Sequence, residues 1–299
     1  MLESGACVLR LTCRAELENS EREGKKMGRY KYGFCEWYLP FSGPDTLRFC
    51  AELGYEGIQI GDMGGAAQNY PLTNRRLAEA YVEMSQKTGV ELQCLNMISV
   101  LSDGSLRADP DSELGRRALR TMEKGFEACR LMGISAAFIP SVLGTRIENP
   151  CHRENTIENL RRGKERADEL GIDFLYESFS PVEETREICR RTGMRLMYDT
   201  LNPLKYGFGT DAAAEISAYG TQLIHTVHFK DCNASYTSDV PLGEGVGRVQ
   251  ECARRIREIG YEGWIVSEGT YFRSDLAAAG TDPWKIAEQD LNTLRSLFP

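Results

Sequence analysis

Four short apolar runs in the second half of this 299-residue chain each lead to a residue that can hold a metal ion or a proton. They are Phe174-Leu-Tyr-Glu177, Leu196-Met-Tyr-Asp199, the stretch Leu223 to Asp231 that carries His228, and Trp264-Ile-Val-Ser-Glu268. Two of the chain's three histidines, His225 and His228, lie in the third run. Three carboxylates and one imidazole, delivered by successive strands to one end of a sheet, suit Mn²⁺, Mg²⁺, Co²⁺ or Zn²⁺ and leave positions open for a substrate. We therefore expect one divalent ion, Mn²⁺ first among these, held by Glu177, Asp199, His228 and Glu268. An ion so placed polarises a carbonyl, and a carboxylate beside it can take the proton from the neighbouring carbon.

Glu177 and Glu268 are the expected acid/base pair. Lys230 follows His228 by two residues and so shares its face of the strand, where it could hold a substrate oxygen or a developing negative charge. His225, three residues before His228, faces the other way and reads as a packing residue. Candidate substrate contacts are Trp37, Asn96, Glu183 and Asn202. Trp37 could stack on the apolar face of a sugar ring, as could Phe179; Asn202 could donate to a hydroxyl; Glu183, six residues after Glu177, could reach the rim. Glu36, Asp62 and Arg146 complete the candidate walls. The turn Gly243-Glu-Gly245-Val-Gly247 precedes a helix, and its backbone N–H groups could bind an anion. Glu244 inside that turn argues against a phosphate there.

Positioning these residues requires strands that end together. From Tyr30 onward, short apolar runs alternate with longer segments of helical period. Strands are expected at about 32–39, 57–61, 91–99, 135–142, 174–177, 195–200, 223–231 and 264–268, each followed by a helix. Glycines such as Gly54, Gly89, Gly133 and Gly193 close several helices before the next strand. Such alternation implies parallel strands joined by right-handed crossovers. Eight units predict a single (β/α)8 TIM barrel, whose active site lies at the carboxyl ends of the strands. An open doubly wound sheet is the competitor, but no G-x-G-x-x-G follows the first strand.

Composition narrows the function. Hydrophobic content of 41% with 27% charged residues is that of an ordinary soluble domain. A net charge of −8 argues against a nucleic-acid partner, whose phosphates call for Lys and Arg. Ten cysteines without a C-x-x-C pair suggest reduced, buried thiols and a cytoplasmic setting. No run approaches the roughly 18 apolar residues of a membrane span, and no membrane partner is expected. Residues 1–27 are read as a poorly ordered N-terminal extension and residues 28–299 as the catalytic barrel, with Met27 a candidate start.

The order Tyr-Glu177, Tyr-Asp199-Thr-Leu-Asn202, Val-His228-Phe-Lys230-Asp231, Pro241-Leu-Gly-Glu-Gly245 and Gly-Tyr261-Glu-Gly263-Trp with Glu268 resembles the xylose-isomerase-like sugar phosphate isomerase/epimerase superfamily. Glu52-Leu-Gly-Tyr-Glu-Gly57-Ile is similar to that family's approach to its second strand. The resemblance covers most of the chain beyond the N-terminal extension. It implies a TIM barrel with one divalent ion on Glu177, Asp199, His228 and Glu268. It also implies a breadth of activities: ketose 3-epimerases, aldose–ketose isomerases, inosose dehydratases, apurinic endonucleases and barrel subunits of C-glycoside-cleaving enzymes. The endonucleases' histidine-rich three-zinc cluster cannot be built from three histidines. Asn202 and Ala234 stand where ketose 3-epimerases commonly carry His and Arg.

The expected function is a metal-dependent sugar isomerase or epimerase acting on a ketose or related monosaccharide. The alternative is a lyase on the same scaffold, by inosose-type dehydration or cleavage of a 3-oxo-glycoside. A small sugar is the expected partner; self-association into a homo-oligomer is left open.

Overall fold

The computed structural model describes residues 29–39, 41–64, 67, 69–206, 211–234, 240–269, 280 and 282–299. The expected extension over residues 1–27 lies outside the described residues. Eight parallel strands form a closed barrel in chain order. They are β1 (Tyr30–Cys35), β2 (Gly57–Gly61), β3 (Glu91–Asn96), β4 (Ala136–Pro140), β5 (Asp173–Glu177), β6 (Arg195–Asp199), β7 (Ile224–Phe229) and β8 (Gly263–Ser267). β1 closes the ring by pairing with β8, from Tyr30 opposite Gly263 to Phe34 opposite Ser267. Closure removes the exposed sheet edges that an open parallel sheet would leave.

The helices among the described residues are α1 (Thr46–Leu53), α2 (Arg75–Thr88), α3 (Glu113–Met132), α4 (Pro150–Glu169), α5 (Val182–Thr192), the short α6 (Asn202–Tyr206), α7 (Ala212–Leu223), α8 (Val249–Glu258) and α9 (Pro283–Leu297). Their starts are fixed by local chemistry. The side chains of Asn74, Ser112, Asn149, Asp211 and Asp282 each accept backbone N–H groups at a helix N-terminus. At the other end of α1, Gly54 takes φ 90°, and its N–H reaches back to Cys50 and Ala51.

Period-two alternation sorts the strand residues into two cores. Phe174, Tyr176, Val227, Phe229 and Ile265 belong to the large core between sheet and helices, where Phe174 meets Phe126 of α3 edge-on at 5.1 Å. Gly163 of α4 permits this packing: a Cβ there would lie 2.2 Å from Met122 Sδ and 3.0 Å from Phe174. A smaller cluster of Cys94, Ala136, Phe138, Leu175 and Met197, with Trp37 against it, fills the barrel interior. Leu175 and Met197 therefore face inward, and so do the residues two further on, Glu177 and Asp199.

Several elements depart from what their sequence suggests. β1 ends at Cys35 and passes into a 3₁₀ turn, Glu36–Tyr38, where a continuing strand was expected. β3 ends at Asn96, followed by a second such turn, Ile98–Ser102. After β6 the chain enters α6 at once, so Asn202 begins a helix instead of lying in a loop.

Candidate metal centre and active site

Glu177 closes β5, Asp199 closes β6, His228 lies opposite Asp199 in β7, and Glu268 follows β8 directly. One ligand atom from each of the four lies within 4.8 Å of the others, and all four residues are buried. The arrangement follows from the alternation above: each residue is on the inward face, at the carboxyl end of its strand. Among the described residues this is the group of His, Cys, Asp and Glu side chains with metal-holding geometry.

The electrostatics fit a cation. Lys230 Nζ lies 2.8 Å from Asp199 Oδ2 and 3.1 Å from Glu268 Oε2. Three carboxylates against one ammonium leave two negative charges for a divalent ion to balance. Asp199 Oδ2 and His228 Nδ1 are buried without an aligned hydrogen-bond partner, although Lys230 and Glu268 stand at ion-pair distance from them. Each atom thus faces only a charged neighbour within the cluster, an arrangement that a shared ion would satisfy.

The remaining oxygens are held. Asp199 Oδ1 accepts the backbone N–H groups of Leu201 and Asn202, each at 2.8 Å, which leaves Oδ2 for the site. Glu177 Oε1 accepts from Asn202 Nδ2 at 3.2 Å, and Glu268 Oε1 from Trp37 Nε1 at 3.2 Å. Burial pushes the Glu177 carboxyl up to about 8, with the Glu268 carboxylate adding to the rise. Burial would also raise Glu268, but Lys230 and His228 together hold it below the usual carboxylate range. For Lys230, burial acts downward and is outweighed by Asp199 and Glu268, which keep the ammonium charged. Two carboxylates of one cluster are thus pushed in opposite directions by their surroundings.

Several sequence-proposed residues join this cluster. The 3₁₀ turn after β1 carries Trp37 to within 6.3 Å of the His228 ring and 6.0 Å of Phe138, between ring centroids. Asn202 reaches Glu177, as described. Asn96 shares the inward face of β3 with Cys94, and its Oδ1 is buried and unpartnered at the strand's carboxyl end. Glu183 does not join them: it is exposed in the first turn of α5 and lines a surface groove with Arg186, Glu187 and Arg190. The helix that begins at Val182, five residues after Glu177, turns its first glutamate outward, which spacing alone did not reveal.

Other wall candidates have structural work. Glu36 Oε1 accepts from Tyr81 at 2.6 Å and from the Gly43 N–H at 3.0 Å, pinning the loop before α1 to α2. Asp62 accepts from Ser99 Oγ at 2.7 Å and from the backbone of Ser99 and Gly64. Arg146 is exposed in the loop after β4. Phe179 is buried and packs edge-on against Tyr206 at 4.8 Å. His225 is half-buried, with Nε2 3.4 Å from Asp173, on the helix-facing side of the sheet as its spacing implied.

The glycine turn after β7 already holds an anion, and it is the protein's own. Asp231 Oδ2 accepts the N–H groups of Gly243 and Gly245, each at 3.0 Å, while Oδ1 accepts those of Gly247 at 2.7 Å and Cys232 at 2.8 Å. The two halves of the His-x-Lys-Asp and Leu-Gly-Glu-Gly pattern are therefore physically one feature. A Cβ on Gly245 would meet the Cys232 carbonyl at 2.2 Å and Asp231 Oδ1 at 2.4 Å.

Sequence reading missed Gln59. It lies on the inward face of β2, fully buried, 2.8 Å from His228 Nε2. The available signal was an amide between two isoleucines in Gly-Ile-Gln-Ile-Gly, a polar residue on the interior face of a buried strand.

The chain is thus a closed parallel barrel with a buried carboxylate–histidine cluster at the carboxyl ends of its strands. The chain belongs to the xylose isomerase-like TIM barrel family, matching it over residues 47–297. It is 26% identical over 232 residues to the 2-epi-5-epi-valiolone 7-phosphate 2-epimerase of an Actinoplanes species, covering 76% of this chain and 82% of that one. Among solved structures it resembles D-psicose 3-epimerase from Clostridium cellulolyticum, with a TM-score of 0.72, 16% identity, and 90% of this chain and 99% of that chain covered. It also resembles the IOLI protein crystallised with a bound zinc atom, with a TM-score of 0.70, 15% identity, and 90% and 98% of the two chains covered. At those identities the structural likenesses establish the fold.

Proposed function

We propose that the protein is a divalent-metal-dependent sugar epimerase acting on a ketose or a related cyclic ketone. The observation that carries this reading is the convergence of buried ligand atoms from Glu177, Asp199, His228 and Glu268 within 4.8 Å of one another. These four side chains would hold the ion, which when bound supplies a Lewis acid that acidifies the carbon next to a substrate carbonyl.

The chain's own residues supply the rest. Inverting a carbon needs a proton taken from one face and another delivered to the opposite face, so two groups of different proton affinity are required. Glu177 and Glu268 are assigned this pair. Lys230 is assigned to the substrate oxygen that gains negative charge, where a buried ammonium acts more strongly than one in water. Trp37 holds Glu268 in place through its indole N–H and offers a ring face to the apolar side of a sugar. Asn202 orients Glu177, and Asn96 presents its unpartnered Oδ1 to a substrate hydroxyl.

Epimerisation is preferred to aldose–ketose isomerisation because the sequence relative is a 2-epimerase. The test is incubation of free and phosphorylated ketoses with protein and Mn²⁺ or Co²⁺ in D₂O, followed by NMR. The expected result is one solvent deuteron at the inverted carbon, with turnover lost to chelator and restored by the ion. Loss of water or release of a fragment in place of an epimer would instead assign the lyase chemistry.

A further inference from the structure

We propose that Gln59 is a positioning residue that fixes His228 with its proton on Nε2, so that Nδ1 is the nitrogen presented to the ion. The proposal rests on the metal reading above and adds to it the ligating atom and the residue that selects it. A histidine ring offers either nitrogen to a metal, and the choice is set by the hydrogen bond that the other one makes.

The contacts of Gln59 favour one orientation of its amide. Its Oε1 lies 2.8 Å from His228 Nε2 and 3.9 Å from Cys35 Sγ. Its Nε2 donates to Gln93 Oε1 at 2.8 Å and approaches Met197 Sδ at 3.8 Å. The Cys35 thiol can donate to that oxygen. A flipped amide would set its oxygen against the Met197 sulfur, which has no proton to give. The oxygen therefore faces His228, and the ring must donate from Nε2. On the opposite side of the ring, Nδ1 lies 3.0 Å from Glu268 Oε2 yet has no aligned partner.

Phe138 packs edge-on against the fully buried imidazole at 5.6 Å and Trp37 lies at 6.3 Å, so aromatic rings wall it on two sides. Gln93, which fixes Gln59, comes from the irregular point in the β2–β3 register, between Ile58 and Gln59. The register skips Gln93, pairing Ile58 with Leu92 and Gln59 with Cys94, so Gln93 and Cys94 both lie beside Gln59.

An acceptor of this kind is neutral. A carboxylate at position 59 would draw the Nε2 proton and make Nδ1 a stronger donor to the ion, whereas an amide orients the ring with little added basicity. Gln59 therefore sets geometry while keeping the ion exchangeable.

The test uses the full chain carrying isotope-labelled histidine, loaded with zinc or cadmium; with only three histidines, His228 is resolved by comparison with His228→Ala. The expected spectrum has a slowly exchanging proton on His228 Nε2 and, with cadmium, metal coupling to Nδ1. Gln59→Leu should weaken zinc affinity by about 10–100-fold, and Gln59→Glu, which keeps the acceptor oxygen, should recover it. Failure of the wild-type protein to bind zinc overturns the metal reading and this proposal with it. Zinc bound through Nε2, or affinity unchanged in Gln59→Leu, overturns the proposal alone. If Gln59→Leu does not fold, the wild-type coupling pattern still decides.

Discussion

Lys230 Nζ lies 2.8 Å from Asp199 Oδ2, the one oxygen of that carboxylate not already taken by backbone N–H groups. The protein's own ammonium thus stands against an atom that the ion must use. Lys230→Met is expected to bind Mn²⁺ at least several-fold more tightly in calorimetric titration, because a competing positive charge is gone. The ion-free protein should lose about 3–5 kcal/mol of stability, since removing one partner strands buried carboxylates. Equal metal affinity in both proteins would mean that Lys230 and the ion do not compete.

Asp231 satisfies four backbone N–H groups of its own loop, and its replacement should be felt as a folding defect. Asp231→Ala leaves those donors buried or forces the loop open, at a cost of about 3 kcal/mol or more in urea unfolding. Gly245→Ala should match it, because its Cβ has no space. An Asp231→Ala protein as stable as the parent would remove the loop-anchoring role.

Asp62 gives a pH signature away from the ion. Burial raises its carboxyl from 3.8 to about 6 in the folded protein, against hydrogen bonds from Ser99 and Gly64 that act downward. The folded state therefore holds this proton more tightly than the unfolded chain does. Its contribution to stability is fully present below the unfolded value and is lost as pH rises through the folded one. The change is about 3 kcal/mol, concentrated between about pH 4 and pH 6. Urea titrations of wild type and Asp62→Asn should show a difference that varies across this window and is flat above it. A constant difference would contradict the assignment.

Gly163 tests the packing that sets the strand ends. Gly163→Ala should destabilise the protein by about 1–3 kcal/mol despite the better helix propensity of alanine, because Met122 and Phe174 must move. Stabilisation would show that the α3, α4 and β5 packing yields easily.

Much of this was legible in the sequence, and the reason is the period of two. Glu177 and Asp199 could be read as inward-facing because apolar residues precede them in strands too short to change face. The eightfold alternation likewise required only hydrophobic runs and helix punctuation. What remained hidden depended on distance in the chain. Glu36 looked like a wall residue until Tyr81, on another helix, was found to hold it. Glu183 was placed by counting from Glu177, but the chain had already turned into a helix whose first turn faces outward. Gln59 was missed because its meaning depends on a histidine 169 residues further along the chain.

The most direct test of the central claim is the metal content of wild-type and His228→Ala protein after loading with Mn²⁺, Co²⁺ or Zn²⁺ and removal of excess ion. The account predicts about one equivalent of ion per wild-type chain and a large loss in the mutant, as removal of a ligand requires. No retained ion in the wild-type protein, or equal retention in both, would contradict it.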